Sequence, residues 1–113
     1  MKMTWPSGRE AALVDILNCV GPGWSGILVR LVADLERLGW DGSVLQVKEK
    51  FGGLRFYIDS GSDAIDKCII KAERESYRTC ECCGQPGKCY DDGWMVTLCR
   101  ECREKQLEGR NRD

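Results

Sequence analysis

Histidine is absent from this chain of 113 residues. Without histidine, the usual Ser-His-Asp and Cys-His catalytic sets cannot be built, and no metal can be held by imidazole. Long apolar runs are absent too, so the sequence predicts no membrane-spanning helix and, over residues 1–10, no signal peptide. We therefore expect a protein of a reducing cytoplasm, where clustered cysteines more often bind metal than form disulfides. In an exported protein the eight cysteines could instead form four disulfides.

An excess of charge of either sign is also missing. Lys and Arg number 17 and Asp and Glu number 18. The balance is seven cations to seven anions in residues 1–59 and ten to eleven in residues 60–113. A mimic of DNA would need a large excess of acids, and a domain that attracts a polyanion through its overall charge would need the opposite. The composition favours neither class.

Two N-terminal segments have the apolar spacing of amphipathic helices. Ser7 and Glu10 match a capping box and predict a first helix at about 8–20, with Cys19 as a small core residue. The GPG at 21–23 ends it. A second helix is predicted at about 24–38, with Gly39 as its stop.

A third helix is predicted at about 63–78, with Cys68 on its apolar face. Residues one turn apart have opposite charges there and predict two ion pairs, Asp63 with Lys67 and Lys71 with Glu75.

Two runs of period-2 alternation around Gly52-Gly53 predict a β-hairpin at about 44–58. One face carries apolar residues, including Leu45, and packs on the helices. Glu49 is in phase with that face, so we expect either a bulge that turns it away or a structural ion pair. The other face carries a set of cations and one aromatic, which are Lys48, Lys50, Arg55 and Tyr57.

The C-terminal part contains a C-x2-C-x15-C-x2-C pattern that is typical of a zinc site. Two residues between cysteines let one tight turn aim both sulfurs at one ion, and Gly84 supplies the backbone freedom that such a turn uses. A hairpin signal at Asp92-Gly93 joins the pairs into a zinc ribbon. We predict one structural zinc per chain, because four thiolates leave no open coordination position. The predicted ligands are Cys80, Cys83, Cys99 and Cys102.

Cys82 and Cys89 are left over by this spacing. We expect both to lie beside the site rather than bind the metal, although Cys89 could replace one ligand. The predicted organisation is α+β: a helical and hairpin domain at 1–79, a zinc ribbon at 80–105 and a charged tail at 106–113.

Three motifs together resemble a family of small, mostly uncharacterised bacterial and bacteriophage proteins. They are VKEKFGGLRFYI at 47–58, C-x-x-C-G-x-P-G at 80–87 and W-x-x-T-L-C at 94–99. In that family, helices and the hairpin precede a zinc-ribbon-like segment, and many members end the second cysteine pair with His where this chain has Cys102. The resemblance implies a phage or prophage origin, a bacterial host cytoplasm and zinc binding. It implies no activity.

Two functional hypotheses follow, and an enzyme is not expected. The first is an accessory protein that binds a host protein or complex, for example to inhibit host defence. The four tryptophans at 5, 24, 40 and 94 are candidate anchors, although Trp24 is expected in the core. The alternative is nucleic-acid binding through the hairpin face of Lys48, Lys50, Arg55 and Tyr57. A catalytic role for Glu49, Cys82 or Cys89 lacks a nucleophile–base set.

Overall fold

The computed structural model describes residues 2–110 of the chain. It is an α+β protein, as predicted, with helices packed on small antiparallel pairs of strands. In chain order the elements are β1 (Met3–Thr4), β2 (Glu10–Ala11), α1 (Leu13–Leu17), α2 (Ser25–Arg37), β3 (Val44–Lys50), β4 (Gly53–Ile58), α3 (Asp63–Ser76), β5 (Lys88–Tyr90), β6 (Val96–Leu98) and α4 (Arg100–Arg110), with a 3₁₀ turn at Pro22–Trp24. None of the helices between residues 2 and 110 is long and apolar enough to cross a bilayer.

The N-terminal segment is a small hairpin where a helix at about 8–20 was predicted. Gly8 has a φ of +87°, and its N–H donates to the Trp5 carbonyl at 2.9 Å. The chain therefore reverses, and Met3 of β1 pairs with Ala11 of β2. The prediction was wrong for residues 8–12, because the Pro-Ser-Gly turn reverses the chain there, and a shorter helix forms only from Leu13 to Leu17.

The short helix α1 begins only after this hairpin. The Asp15 carboxylate, not the predicted Ser7 and Glu10 pair, caps its start by accepting the Ala12 N–H at 2.9 Å. Ile16 is the buried residue of α1. Cys19 lies beyond the end of α1 and is exposed, so its prediction as a core residue was wrong.

The second helix forms close to where its apolar stripe predicts it. Its buried residues come from that stripe, and Gly39 follows the helix with a φ of +87°. Trp24 is fully buried at the start of α2, as predicted, and its indole N–H donates to the Thr79 carbonyl at 2.8 Å. The core that α2 shares with the β3–β4 hairpin and α3 includes Ile27, Leu28, Leu31, Leu35, Val44, Val47, Leu54, Phe56, Ile65 and Ile69.

The β3–β4 hairpin turns at Phe51-Gly52, where both residues have positive φ, of 55° and 81°. Two positive φ values at the centre of a two-residue turn are the signature of a type I′ hairpin. The register slips between Val44 and Gln46, and Leu45 points outward with 46% of its surface exposed. The prediction of Leu45 as a core residue was wrong, because this bulge shifts the alternation.

Glu49 is half-buried next to the turn. Its Oε2 accepts the Gly52 N–H at 2.7 Å, and no ion pair is recorded for it within residues 2–110. The expected ion pair is thus replaced by a hydrogen bond to the backbone. The bulge lies upstream of Glu49, so it does not turn this side chain away.

Helix α3 covers the outer edge of β4. The Leu54 N–H donates to the Ser76 hydroxyl at 2.9 Å, and the Phe56 N–H donates to the Glu73 carboxylate at 3.1 Å. These side chains satisfy backbone donors that an edge strand would otherwise leave unpaired. Cys68 is half-buried and packs against the core, as predicted.

The C-terminal segment forms a second, smaller cluster of buried residues around Cys80, Val96 and Leu98. Strands β5 and β6 form the predicted hairpin, and α4 follows at once. The charged tail predicted at 106–113 is helical as far as residue 110, and the remaining residues of that prediction, 111–113, lie outside the described part.

Candidate metal centre and basic surface

The first cysteine pair lies in a tight turn between α3 and β5. The Gly84 N–H donates to the Cys80 carbonyl at 2.9 Å, and Gly84 has a φ of +83°. The Cys80 N–H donates to the Gln85 carbonyl at 2.7 Å and closes the turn from the other side. The glycine after Cys83 therefore has the role that its position in the sequence predicted.

The second pair lies at the start of α4. Cys99 directly precedes the helix and Cys102 is in its first turn. The Cys102 N–H donates to the Cys99 sulfur at 3.4 Å, so a free N–H of the helix start stabilises a sulfur that can become negative.

The four cysteines converge as their spacing predicted. The Sγ atoms of Cys80, Cys83, Cys99 and Cys102 all lie within 4.8 Å of one another. The Cys83 and Cys99 sulfurs are 3.6 Å apart, close to the ~3.8 Å edge of a tetrahedron with Zn–S bonds of about 2.3 Å. This group could hold one metal ion. Cys82 and Cys89 lie outside it.

The thiols of the cluster differ in pKa. Burial raises the pKa of Cys80, but the backbone N–H groups of Cys99, Cys83 and Cys82 outweigh burial and lower it to about 6. The pKa of Cys102 is raised, because its hydrogen bond with Cys99 and its burial both favour the thiol. Four neighbouring thiolates repel one another, so ionising all of them requires a cation among them.

The first cysteine turn packs against the GPG loop that precedes α2. The Gly23 N–H donates to the Glu81 carbonyl at 2.8 Å. A Cβ on Gly23 would lie 2.0 Å from the Cys80 carbonyl oxygen and 2.7 Å from the Gly84 nitrogen. Only glycine allows this approach, so the loop is part of the scaffold that holds the cysteine cluster.

The β5–β6 hairpin packs against the turn of the β3–β4 hairpin. The buried Thr97 hydroxyl donates to the Gly52 carbonyl at 2.6 Å. A Cβ on Gly52 would lie 3.1 Å from the Cys89 sulfur. Cys89 therefore packs between the hairpins, which is a structural role that the sequence did not reveal.

The predicted binding face of the β3–β4 hairpin is formed, but its members have different surroundings. Lys48 lies opposite Arg55 in the register, and its ammonium is 6.0 Å from the centre of the Tyr57 ring. Arg55 is half-buried and donates to the Tyr77 hydroxyl at 2.8 Å. Lys50 and Tyr57 are exposed.

A second group of cations lies along α3 and was missed by the sequence analysis. Three of its members are spaced four and three residues apart on one face of the helix, and the fourth, Arg78, lies two residues beyond the helix end; all four border a common shallow depression of about 510 Å³. All are exposed, and none has an ion pair recorded among residues 2–110. We call this group the α3 stripe; its members are Lys67, Lys71, Arg74 and Arg78.

The ion pairs predicted on this helix are replaced by other contacts. Glu75 pairs with Arg30 of α2 at 2.5 Å instead of with Lys71. Glu73 is turned to the backbone of β4. Asp63 lies in the first turn of α3, at the far end from Arg78, and no ion pair with Lys67 is recorded in the described chain. Glu73 and Glu75, the two acids nearest the middle of the stripe, are therefore engaged elsewhere.

Tyr77 joins the stripe to the hairpin face. It lies between Arg74 and Arg78 in the chain and contacts Arg55, whose guanidinium carbon is 5.7 Å from the ring centre. A Cβ on Gly53 would lie 2.2 Å from this ring, so Gly53 lets Tyr77 rest on the hairpin. We call the combined set of seven cations the basic surface: Lys48, Lys50, Arg55, Lys67, Lys71, Arg74 and Arg78.

The candidate tryptophan anchors are mostly core residues. Trp24 and Trp40 are buried, and Trp5 packs partly buried against the same core. Trp94 has 71% of its surface exposed.

Comparison of the chain with protein-family models, with curated proteins and with solved structures finds no match. The resemblance to bacterial and phage proteins therefore stays a prediction.

Proposed function

We propose that this protein is a small nucleic-acid-binding module whose C-terminal part is held together by one structural zinc ion. Four soft thiolates suit zinc, which needs no redox partner. They also fill a tetrahedron and leave no position for water or substrate, so the metal's role in this proposal is to stabilise the fold.

The observation that carries the proposal is the α3 stripe. A row of four exposed cations, three on one face of α3 and one in the turn that follows it, without recorded ion pairs, is the kind of basic stripe expected of a polyanion-binding protein. From Lys67 to Arg74, its three helical members span roughly 10 Å at 1.5 Å per residue.

The hairpin face extends this surface and adds aromatic rings. Tyr57 lies beside Lys48, and Tyr77 lies beside Arg55. Cations alternating with aromatic side chains are typical of proteins that bind single-stranded nucleic acid, because phosphates and bases need different partners. The balanced net charge does not exclude this function, since binding depends on the local distribution of charge.

The competing expectation is an accessory protein that binds a host protein or complex. This hypothesis rests on the resemblance to phage proteins, and it does not require the charge of the α3 stripe. Both hypotheses share the structural zinc and the absence of an expected catalytic role. We therefore make the protein-binding function the alternative outcome of the test.

The test compares two variants with the same change in net charge. The first replaces the α3 stripe, Lys67, Lys71, Arg74 and Arg78, by Ala. The second replaces exposed cations elsewhere, Arg9, Arg37, Arg100 and Lys105, by Ala. Binding to a labelled single-stranded oligonucleotide is measured by fluorescence anisotropy at physiological salt.

We expect the unmodified protein to bind with a Kd on the order of 10⁻⁶ M or tighter and the stripe variant to bind roughly tenfold or more weakly. The charge-matched control should stay close to the unmodified protein. No binding by the unmodified protein, or equal losses in the two variants, would overturn the proposal and favour a protein partner.

A further inference from the structure

A cleft between the two hairpins lies next to the basic surface. The turn of the β3–β4 hairpin forms one wall and the loop before β6 forms the other, enclosing about 410 Å³. Phe51 and Trp94 expose 59% and 71% of their surfaces there. The ring pair in contact within residues 2–110 is Trp40 with Phe56, so the two exposed rings do not stack on each other. We call this space the aromatic cleft; it is lined by Glu49, Lys50, Phe51, Gly93, Trp94 and Met95.

Phe51 occupies its place in a conformation that its side chain disfavours. Its φ of 55° is the only positive value among the non-glycine residues described between 2 and 110. The first central position of a type I′ turn is usually Asn, Asp or Gly. A bulky aromatic side chain in this region is a backbone outlier, and such outliers concentrate at functional sites. Packing does not explain why a phenylalanine occupies this position, because most of its ring is exposed to solvent.

The charges around the cleft indicate what it can accept. Lys50 lines the cleft and belongs to the basic surface, and its ammonium lies 5.4 Å from the centre of the Phe51 ring. The Glu49 carboxylate is turned to the Gly52 N–H and is half-buried. A ligand with a flat apolar ring and a negative group close by therefore fits the cleft, because the ring can contact Phe51 and Trp94 and the negative group can contact Lys50.

We propose that the aromatic cleft takes an unpaired nucleobase of a single strand whose phosphates lie on the basic surface. The inference rests on the proposed function and narrows its substrate to single-stranded nucleic acid. A base that is paired inside a duplex stacks on its neighbours and cannot enter a cleft without being extruded, whereas an unpaired base can stack on an aromatic side chain. Cleft and basic surface meet at Lys50.

The test uses three labelled probes of about 15 nucleotides, the upper range of the site size of a small single-strand binder. The first is a thymidine strand, the second is an abasic strand with the same number of phosphates, and the third is a duplex of equal length. Two variants alter the cleft, Phe51→Gly and Trp94→Ala. Leu45→Ala removes an exposed apolar side chain of the same hairpin outside the cleft and serves as the control.

We expect the thymidine strand to bind roughly tenfold or more tightly than the abasic strand. Phe51→Gly and Trp94→Ala should each remove most of this difference and leave the abasic and duplex affinities unchanged. Glycine suits the turn conformation, so Phe51→Gly should melt at the same or a higher temperature than the unmodified protein. A loss of affinity together with retained stability separates a binding role from a folding role.

Equal affinity for the thymidine and abasic strands, with no effect of either cleft variant, would overturn the inference. If the α3 stripe variant still bound all three probes more weakly than the unmodified protein, the proposed function would stand. The cleft would then not bind a base, and a side chain of a protein partner would be the remaining candidate ligand. If the unmodified protein bound none of the probes, both proposals would fail.

Discussion

Tyr77 has two contacts that no single motif reveals. Its hydroxyl accepts a hydrogen bond from Arg55, its ring rests on Gly53, and its chain neighbours Arg74 and Arg78 belong to the α3 stripe. In the sequence, Arg55 is only one of three cations on the outer face of the hairpin. Contact with Tyr77 instead fixes the guanidinium and lets two groups of cations, distant in the chain, form one surface.

The cysteines differ in role at the residue scale, and substitutions should separate them. We expect Cys99→Ser to lose the metal, because hydroxyl oxygen is a poor replacement for a thiolate in a four-sulfur site. Cys82→Ser and Cys89→Ser should keep close to one equivalent, since their sulfurs lie outside the cluster. Cys89→Ser should still lower the melting temperature, because its sulfur packs against Gly52.

Metal content of protein purified without chelator, measured by elemental analysis, checks this prediction. Loss of metal from Cys89→Ser with retention in Cys99→Ser would show that the ligand set is wrong.

At the scale of elements, the cysteine turn depends on a loop far away in the sequence. The GPG loop before α2 approaches the backbone at Cys80 and Glu81 so closely that a side chain at Gly23 has no room. The cysteine cluster and the first hydrophobic core are thus coupled through backbone contacts. The predicted ribbon is packed on the helical part through this loop and through Gly52.

Gly23→Ala should therefore lower both thermal stability and metal affinity. We expect a loss of about 1–3 kcal/mol in the free energy of unfolding, the typical range for overpacking. Gly26→Ala is the matched control three residues later inside α2, where the nearest atom to a new Cβ is an Arg30 side-chain nitrogen at 3.6 Å. That control should gain about 0.5–1 kcal/mol from helix propensity.

Chemical denaturation, together with competition for zinc by a chromogenic chelator, measures the two quantities. Equal behaviour of the two alanine variants would contradict the coupling.

The elements that the sequence predicted well are those with a continuous apolar stripe. Helix α2 and helix α3 each bury one face, so their periodicity alone located them within two residues of their observed ends. Helix α4 has no such stripe, because its sequence is dominated by charged residues, and it was predicted as a tail. The first helix was misplaced because Gly8 reverses the chain, and Leu45 because a bulge cannot be read from alternation alone.

At the scale of the whole molecule, the overall charge balance of the sequence does not reveal the basic surface, because folding brings its cations together. The cations of the β3–β4 hairpin and those of α3 belong to different halves of the chain, and each half contains as many acids as bases to within one residue. Folding turns Glu73 to a strand edge and Glu75 to Arg30, and so directs these two acids away from the stripe. The cysteine cluster, by contrast, followed from spacing alone, because a C-x-x-C turn is set by local geometry.

The most direct test of the basic surface is the salt dependence of oligonucleotide binding. Each phosphate contact to a single strand releases counterions and contributes about −0.7 to the slope of log K against log salt concentration. If all seven cations of the basic surface contact phosphates, the slope should be about −5, and replacing the α3 stripe by Ala should reduce it to about −2. The charge-matched control should retain the full slope. A slope near zero in the unmodified protein, or the same slope in the stripe variant and the control, would contradict the account.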